Sequence, residues 1–332
     1  MRTTAKTLGD INIHSALKNI RTAREAFKCF FYKREEIVDL LFLSCCSQTP
    51  LLLVGPPGTA KSDIISKFSE TLNLEDGQYF EYMLTKFSEP GEIFGAIDIT
   101  KLKDGIHSRK TQGMLPTALI AFLDEIFKGN SAILNSLLTI VNEKKFYQEG
   151  VPTPVPLKFL IAATNEIPDD DSMKALVDRF PLKVNSNYVS DTEDDLRNLA
   201  NVALKFKKLK YENKKPWKDI SLSMKDFDDV FSYVQLTIAN GDSKVDVNSF
   251  IEPNAFKLIF SIFKTLENDK IEISDRKKVQ MFELIRVNAL LNHGGKVKID
   301  DLNVLAYLGN RKEEIPVVRN RVLQLLKDTN RS

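Results

Sequence analysis

Three nearly continuous apolar runs mark the first half of the chain: LLLV at 51–54, ALIAFL at 118–123 and LKFLIAAT at 157–164. Runs this short, apolar at successive rather than alternate positions, read as strands buried on both faces of a parallel sheet. Each gives way abruptly to polar residues: GPPGTAKS after the first, Asp124 and Glu125 after the second, Asn165 after the third. Elsewhere the period is helical. IVDLLFLSCC at 37–46 is an apolar helical stretch, a helix is expected from about Lys61 to Glu70, and another from about Ser172. Pro181 cannot continue that last helix and biases Phe180 away from it, so it should end just after Arg179. Beyond residue 220, NAFKLIFSIFKTL, VQMFELIRVNALL and VVRNRVLQLL carry apolar residues at three- and four-residue spacing, the mark of a small helical bundle. Strands alternating with helices, then helices alone, predict an α/β protein: a doubly wound parallel-sheet core followed by a small all-helical domain.

Composition narrows the classes of partner. The 332 residues exceed the usual single-domain size, and 47 Lys plus Arg against 45 Asp plus Glu give no global pull toward nucleic acid or anionic membrane. No apolar run approaches the roughly 20 residues that span a bilayer. MRTTAKTLGDINIH lacks an apolar leader core, and Cys29, Cys45 and Cys46 have no metal-ligand spacing, so a cytoplasmic protein with reduced thiols is expected. Seven lysines at 205–218, interleaved with Phe206, Tyr211 and Trp217, invite a nucleic-acid reading through charge and stacking. The balanced overall charge offers that reading no support, and a solvated linker is the plainer expectation.

Candidate chemistry sits where the apolar runs end. Gly55, Pro56, Pro57, Gly58, Thr59, Ala60, Lys61 and Ser62 are read as the phosphate-loop pattern G-x-x-x-x-G-K-S. In such a loop backbone N–H groups wrap nucleotide phosphates, Lys61 reaches the β and γ phosphates and the Ser62 hydroxyl binds Mg²⁺. The helix that follows turns its positive dipole end to the same phosphates. Side chains alternate faces along a strand, so Asp124 and Glu125 serve one site only if the strand stops at Asp124. Asp124 then takes the Mg²⁺ side, and Glu125 orients and deprotonates the attacking water; the plain alternative is a solvated acidic pair. Asn165, delivered by a neighbouring strand, belongs beside the same γ-phosphate. Arg179, a cation at a helix C-terminus, is favourable on dipole grounds alone.

In this order and spacing GPPGTAKS, the strand ending LDE, ATN and LVDRF resemble an AAA+ ATPase core, and FLDEIFKGNSAILNSLLTIVNEKKF resembles the MoxR family. SEPGEIFGAIDI and SDRKKVQ are similar to its RavA branch, and the resemblance runs from about residue 30 to 309. It implies a homo-oligomeric ring, a hexamer, with ATP and Mg²⁺ between subunits, Asn165 as first sensor, Arg179 as the arginine finger acting in trans and Arg276 as second sensor in the helical lid. Ser274 can cap the helix that carries Arg276 in its first turn, where the dipole disfavours a cation; a nearby anion would offset this, or Asp275 alone neutralises it. The expected domains are 1–187 for the core, 188–220 for the lysine-rich linker and 221–332 for the lid.

Two insertions are expected within the core. One is a hairpin near 97–112, turning at Asp104-Gly105. The other lies near 144–158, where Pro152, Pro154 and Pro156 keep one strand edge from pairing. The resemblance implies that both lie near the ring's pore. It also implies a chaperone-like role in remodelling or maturing a protein client, often alongside a von Willebrand factor A domain protein. The chain ends near Ser332 without the further carboxy-terminal region of the RavA branch, so partner functions tied to that region are not carried over. A nucleic-acid-dependent motor is the rival reading, and a nucleotide-gated scaffold with negligible turnover a third.

Overall fold

The computed structural model describes residues 7–148, 150–189, 191–239 and 246–329. Residues 1–6, read above for a leader, lie outside them, as do Glu149 and Ser190 within the expected second insertion and linker. In chain order the elements begin with α1 (Ile13–Lys28), α2 (Glu35–Ser47), β1 (Leu51–Val54), α3 (Lys61–Thr71), β2 (Tyr79–Met83), α4 (Pro90–Phe94) and α5 (Ile99–Lys103). Then come β3 (Ile120–Asp124), α6 (Ser131–Glu143), β4 (Lys145–Gln148), β5 (Val151–Pro154), β6 (Phe159–Thr164), α7 (Asp171–Val177) and β7 (Leu182–Asn185). The remainder is helical: α8 (Glu193–Tyr211), α9 (Met224–Ala239), α10 (Pro253–Asn268), α11 (Asp275–Asn292) and α12 (Glu314–Thr329).

The chain forms two compact units. One holds Pro50–Phe180 and Val184–Tyr188; the other gathers the described residues of Met1–Thr49, Pro181–Lys183 and Val189–Ser332. The first is built on a five-stranded sheet of order β2-β3-β6-β1-β7. β6, buried at all six positions, runs parallel to β1 on one side and β3 on the other. Register pairs Val54 with Thr164 and Leu123 with Ala162, so β1, β3 and β6 end close together at one edge. In open α/β sheets that carboxyl edge is where ligands bind. α3 packs on the sheet through Ile64, Ile65 and Phe68, each fully buried and worth about 1.5–3 kcal/mol in apolar transfer.

Two local expectations in this unit fare differently. Near 97–112 a short helix replaces the expected hairpin, with one isolated bridge joining Ile97 to Arg109. Asp98 accepts from the Thr100 N–H at 3.0 Å and starts the helix, and Gly105, at φ 78, ends it with its N–H on the Leu102 carbonyl. Asp104-Gly105 therefore acts as a helix stop in the left-handed conformation rather than as a hairpin turn. Near 144–158 the hairpin forms. Phe146 faces Thr153, while Pro152 and Pro154 lie opposite Tyr147 and Lys145, and β5 has β4 as its one partner among the described residues.

The second unit is helical. α1 and α2 pack with α9 and α11, so this division differs from boundaries drawn at 187 and 220 along the chain. The Phe27 ring lies 5.3 Å from Phe31 and 6.4 Å from Phe42, and Phe42 meets Phe227 of α9 at 6.1 Å. Arg21 donates to the Leu290 and Leu291 carbonyls, both at 2.6 Å, a cation placed on the last turn of α11. The expected lysine-rich linker is largely helix: α8 runs through Lys205, Lys207, Lys208 and Lys210. Phe206 packs on Phe31, and Trp217, 7% exposed, on Phe30 and Phe206, so apolar burial holds this stretch in the fold. Of the three interleaved aromatics only Tyr211, 93% exposed, is open to a stacking partner.

Candidate active site

The loop after β1 is shaped by two glycines for different reasons. A Cβ on Gly55 would lie 2.1 Å from the Ser186 carbonyl oxygen, so only glycine allows the backbones to approach. Gly58 has open space around it but sits at φ 80, where an L-residue is strained. The pattern's sixth position, normally glycine, is Ala60, and Ala60 nevertheless adopts the left-handed conformation at φ 66. Thr59 donates to the Pro56 carbonyl at 3.0 Å, Ser186 to the Thr59 carbonyl at 3.3 Å and Tyr188 to the Pro57 carbonyl at 3.3 Å. Ser186 and Tyr188 were not legible as loop supports; a polar run after a buried strand was their only trace.

Lys61 opens α3 and is buried, donating into its own loop at the Gly55 and Pro56 carbonyls. Burial pushes its ammonium pKa down, while the carboxylates of Asp124 and Glu125 pull it up. An anion arriving at the loop would add to that pull and favour the charged form.

β3 stops at Asp124. Glu125 follows at φ 53, left-handed backbone that breaks the strand alternation and opens a 3₁₀ turn, Ile126–Lys128. Two adjacent carboxylates thereby serve one place. Asp124 accepts from the Ser62 hydroxyl at 3.2 Å through Oδ2 and from the Glu125 N–H at 2.9 Å through Oδ1. Glu125 Oε1 accepts from Asn165 Nδ2, one residue past the end of β6. Lys128, which the sequence reading did not select, pairs with Glu125 Oε2 at 3.5 Å. Lys61, Ser62, Asp124, Glu125 and Asn165 are thus brought together.

The two arginines join none of these bonds. α7 ends at Val177, so Arg179 lies in the turn beyond it rather than in the helix, with its N–H on the Leu176 carbonyl at 3.0 Å. Its Nη1 is 3.8 Å from Asp178, and its buried Nε has no hydrogen-bond partner among the described residues. A buried donor left so costs about 1–3 kcal/mol. Arg276 is exposed in the first turn of α11, whose N-cap Ser274 accepts from the Lys277 N–H at 3.2 Å, and it belongs to the other unit.

A parallel sheet with a phosphate-type loop after its β1 strand, an acidic pair closing β3 on the far side of β6, and a helical lid is the fold of an AAA+ ATPase. The comparisons agree. A crystal structure from Cytophaga hutchinsonii, provisionally described as an ATPase, superposes with a TM-score of 0.68 over 95% of each chain at 17% identity, a likeness of fold. Two uncharacterized proteins of Methanocaldococcus jannaschii are 33% and 32% identical over 86% and 88% of this chain and 69% and 70% of their own lengths. The chaperone MoxR1 of Mycobacterium tuberculosis is 25% identical over 48% of this chain and 42% of its own. Residues 18–227 match the family described as the MoxR domain in MoxR-vWA-beta-propeller ternary systems, and residues 254–322 an AAA lid domain. The chain belongs to the MoxR family of AAA+ ATPases. No helix among the described residues is long and apolar enough to cross a membrane.

Proposed function

We propose that this chain hydrolyses ATP at the interfaces of a ring, a hexamer, and uses the cycle to remodel or mature a protein client. The observation that carries this reading is the single cluster in which Ser62 reaches Asp124 and Asn165 reaches Glu125 at the mouth of the loop. The Ser62 hydroxyl and the Asp124 carboxylate are hard oxygen donors 3.2 Å apart, a pair suited to Mg²⁺. Bound there with nucleotide, Mg²⁺ would neutralise phosphate charge. Lys61 binds the phosphates, and the loop's backbone N–H groups hold them in register with α3. Glu125 takes a proton from water at a carboxylate oxygen, and Asn165 orients the γ-phosphate. Arg179, whose Nε has no acceptor among the described residues, supplies transition-state charge to the site of the next subunit. Arg276 reads the nucleotide from the lid.

The match to a MoxR domain of ternary systems supports a von Willebrand factor A domain protein as client or companion. Membership of the RavA branch rests on SEPGEIFGAIDI and SDRKKVQ, and a cytoplasmic setting on the short apolar runs. The test is Glu125→Gln. Phosphate release should fall by about 10²–10⁴, the usual worth of a general base, while ATP binding persists. Proteins recovered with the ATP-trapped ring then identify the client. Undiminished turnover in the variant would remove Glu125 from the chemistry, and recovery of nucleic acid alone would overturn the client reading.

A further inference from the structure

Each carboxylate oxygen of Glu125 faces a side-chain partner. Oε1 accepts from Asn165 Nδ2, Oε2 faces the Lys128 ammonium at 3.5 Å, and the side chain is 13% exposed. The arrangement is built by the backbone. Lys128 N–H donates to the Glu125 carbonyl at 2.8 Å and closes the 3₁₀ turn, and in that geometry side chains three residues apart eclipse one another. The ammonium is therefore stacked over the carboxylate by the fold itself. The turn is anchored at its far end too: Asn130 accepts from the Ile133 N–H at 3.1 Å to cap α6 and donates to the Ser88 carbonyl at 3.0 Å. Lys61, the other cation near Glu125, is committed to the carbonyls of its own loop.

We propose that Lys128 is a brake on hydrolysis, a positioning residue whose ammonium holds Glu125 against Asn165 and away from the attacking water. The proposal rests on the reading of Glu125 as the base. A carboxylate that must reach a water loses that reach while it is held to a cation, and it recovers it when the cation leaves. The lysine side chain is 50% exposed, so the pair is weak enough to open within a catalytic cycle. Removing it should therefore change a rate by a small factor and leave the site standing.

The experiment measures Mg·ATP turnover and nucleotide affinity of the full chain for wild type, Lys128→Met, Lys128→Gln and Lys128→Arg, with Glu125→Gln alongside. The neutral variants should raise kcat by about two- to five-fold, the worth of a half-exposed ion pair, with KM and nucleotide Kd unchanged. Lys128→Arg should keep the lower rate because it keeps the cation. Unchanged or reduced kcat in both neutral variants at wild-type thermal midpoints, or a change confined to KM, overturns the brake while leaving Glu125 as the base. Should Glu125→Gln turn over like wild type, the base reading falls and the brake with it.

Discussion

Ala60 and Glu125 hold a backbone conformation that L-residues adopt at a cost, at φ 66 and φ 53, and both flank the phosphate-type loop's chemistry. The penalty is about 1–2 kcal/mol per residue, and sites where it persists are often functional. At Glu125 the strained turn is what re-aims a carboxylate that strand alternation would send to the opposite face. At Ala60 it sets the first turn of α3 beneath Lys61. Ala60→Gly should therefore stabilise the protein by roughly 0.5–1 kcal/mol in urea unfolding, the relieved strain being partly offset by the freer unfolded chain. Gly55→Ala should do the reverse, losing about 1–3 kcal/mol or more, because its Cβ meets a carbonyl oxygen at 2.1 Å that no side-chain rotation can move. Equal stability of Gly55→Ala and wild type would mean the loop relaxes more readily than this packing allows.

Among elements, α8 carries the clearest pH signature. Its Asp195 is held at a pKa of about 2, below the ordinary 3.8, by the hydrogen bond from Lys33 first and that from Tyr32 next. A carboxylate whose folded pKa is depressed stabilises the fold above its unfolded pKa and loses that contribution as pH falls. The stability gap between wild type and Asp195→Asn should thus be full at neutral pH and close between pH 3.8 and about 2. A gap constant across that range would remove the Lys33 pair as its source.

The same helix explains what the sequence could convey at this scale. β1, β3 and β6 were readable because full burial leaves unbroken apolar runs, and the loop, Asp124, Glu125 and Asn165 were readable because each sits where such a run stops. β2, with only Phe80 buried, leaves too weak a pattern to single out. Asp104-Gly105 ends a helix as readily as it turns a hairpin, and the dipeptide alone does not distinguish the two. Lysines mask α8, whose inward positions are few and spaced by turns of helix; Phe206 and Trp217 make sense only once Phe30 and Phe31, far away in sequence, are in contact with them.

For the whole molecule, the proposed ring makes each site the joint property of two chains. Arg179→Ala should lower turnover by about 10³–10⁵ and spare nucleotide binding. Mixing it with Glu125→Gln is the sharper measurement: each variant is inactive alone, yet a mixed ring contains sites with an intact base on one subunit and an intact arginine on the next. Recovered phosphate release on mixing is expected; an arginine acting within its own chain would give none. The division into units also has a consequence for biosynthesis. α1 and α2 emerge first but pack with α9 and α11, so the sheet unit is completed between the two halves of the helical one. At about 5–20 residues/s, the apolar residues of α2 wait roughly 10–35 s before Met224–Ala239 is made. Until then a nascent chain exposes Val38, Leu41 and Phe42 to the cell, and translation speed across the sheet unit sets how long it remains vulnerable to aggregation.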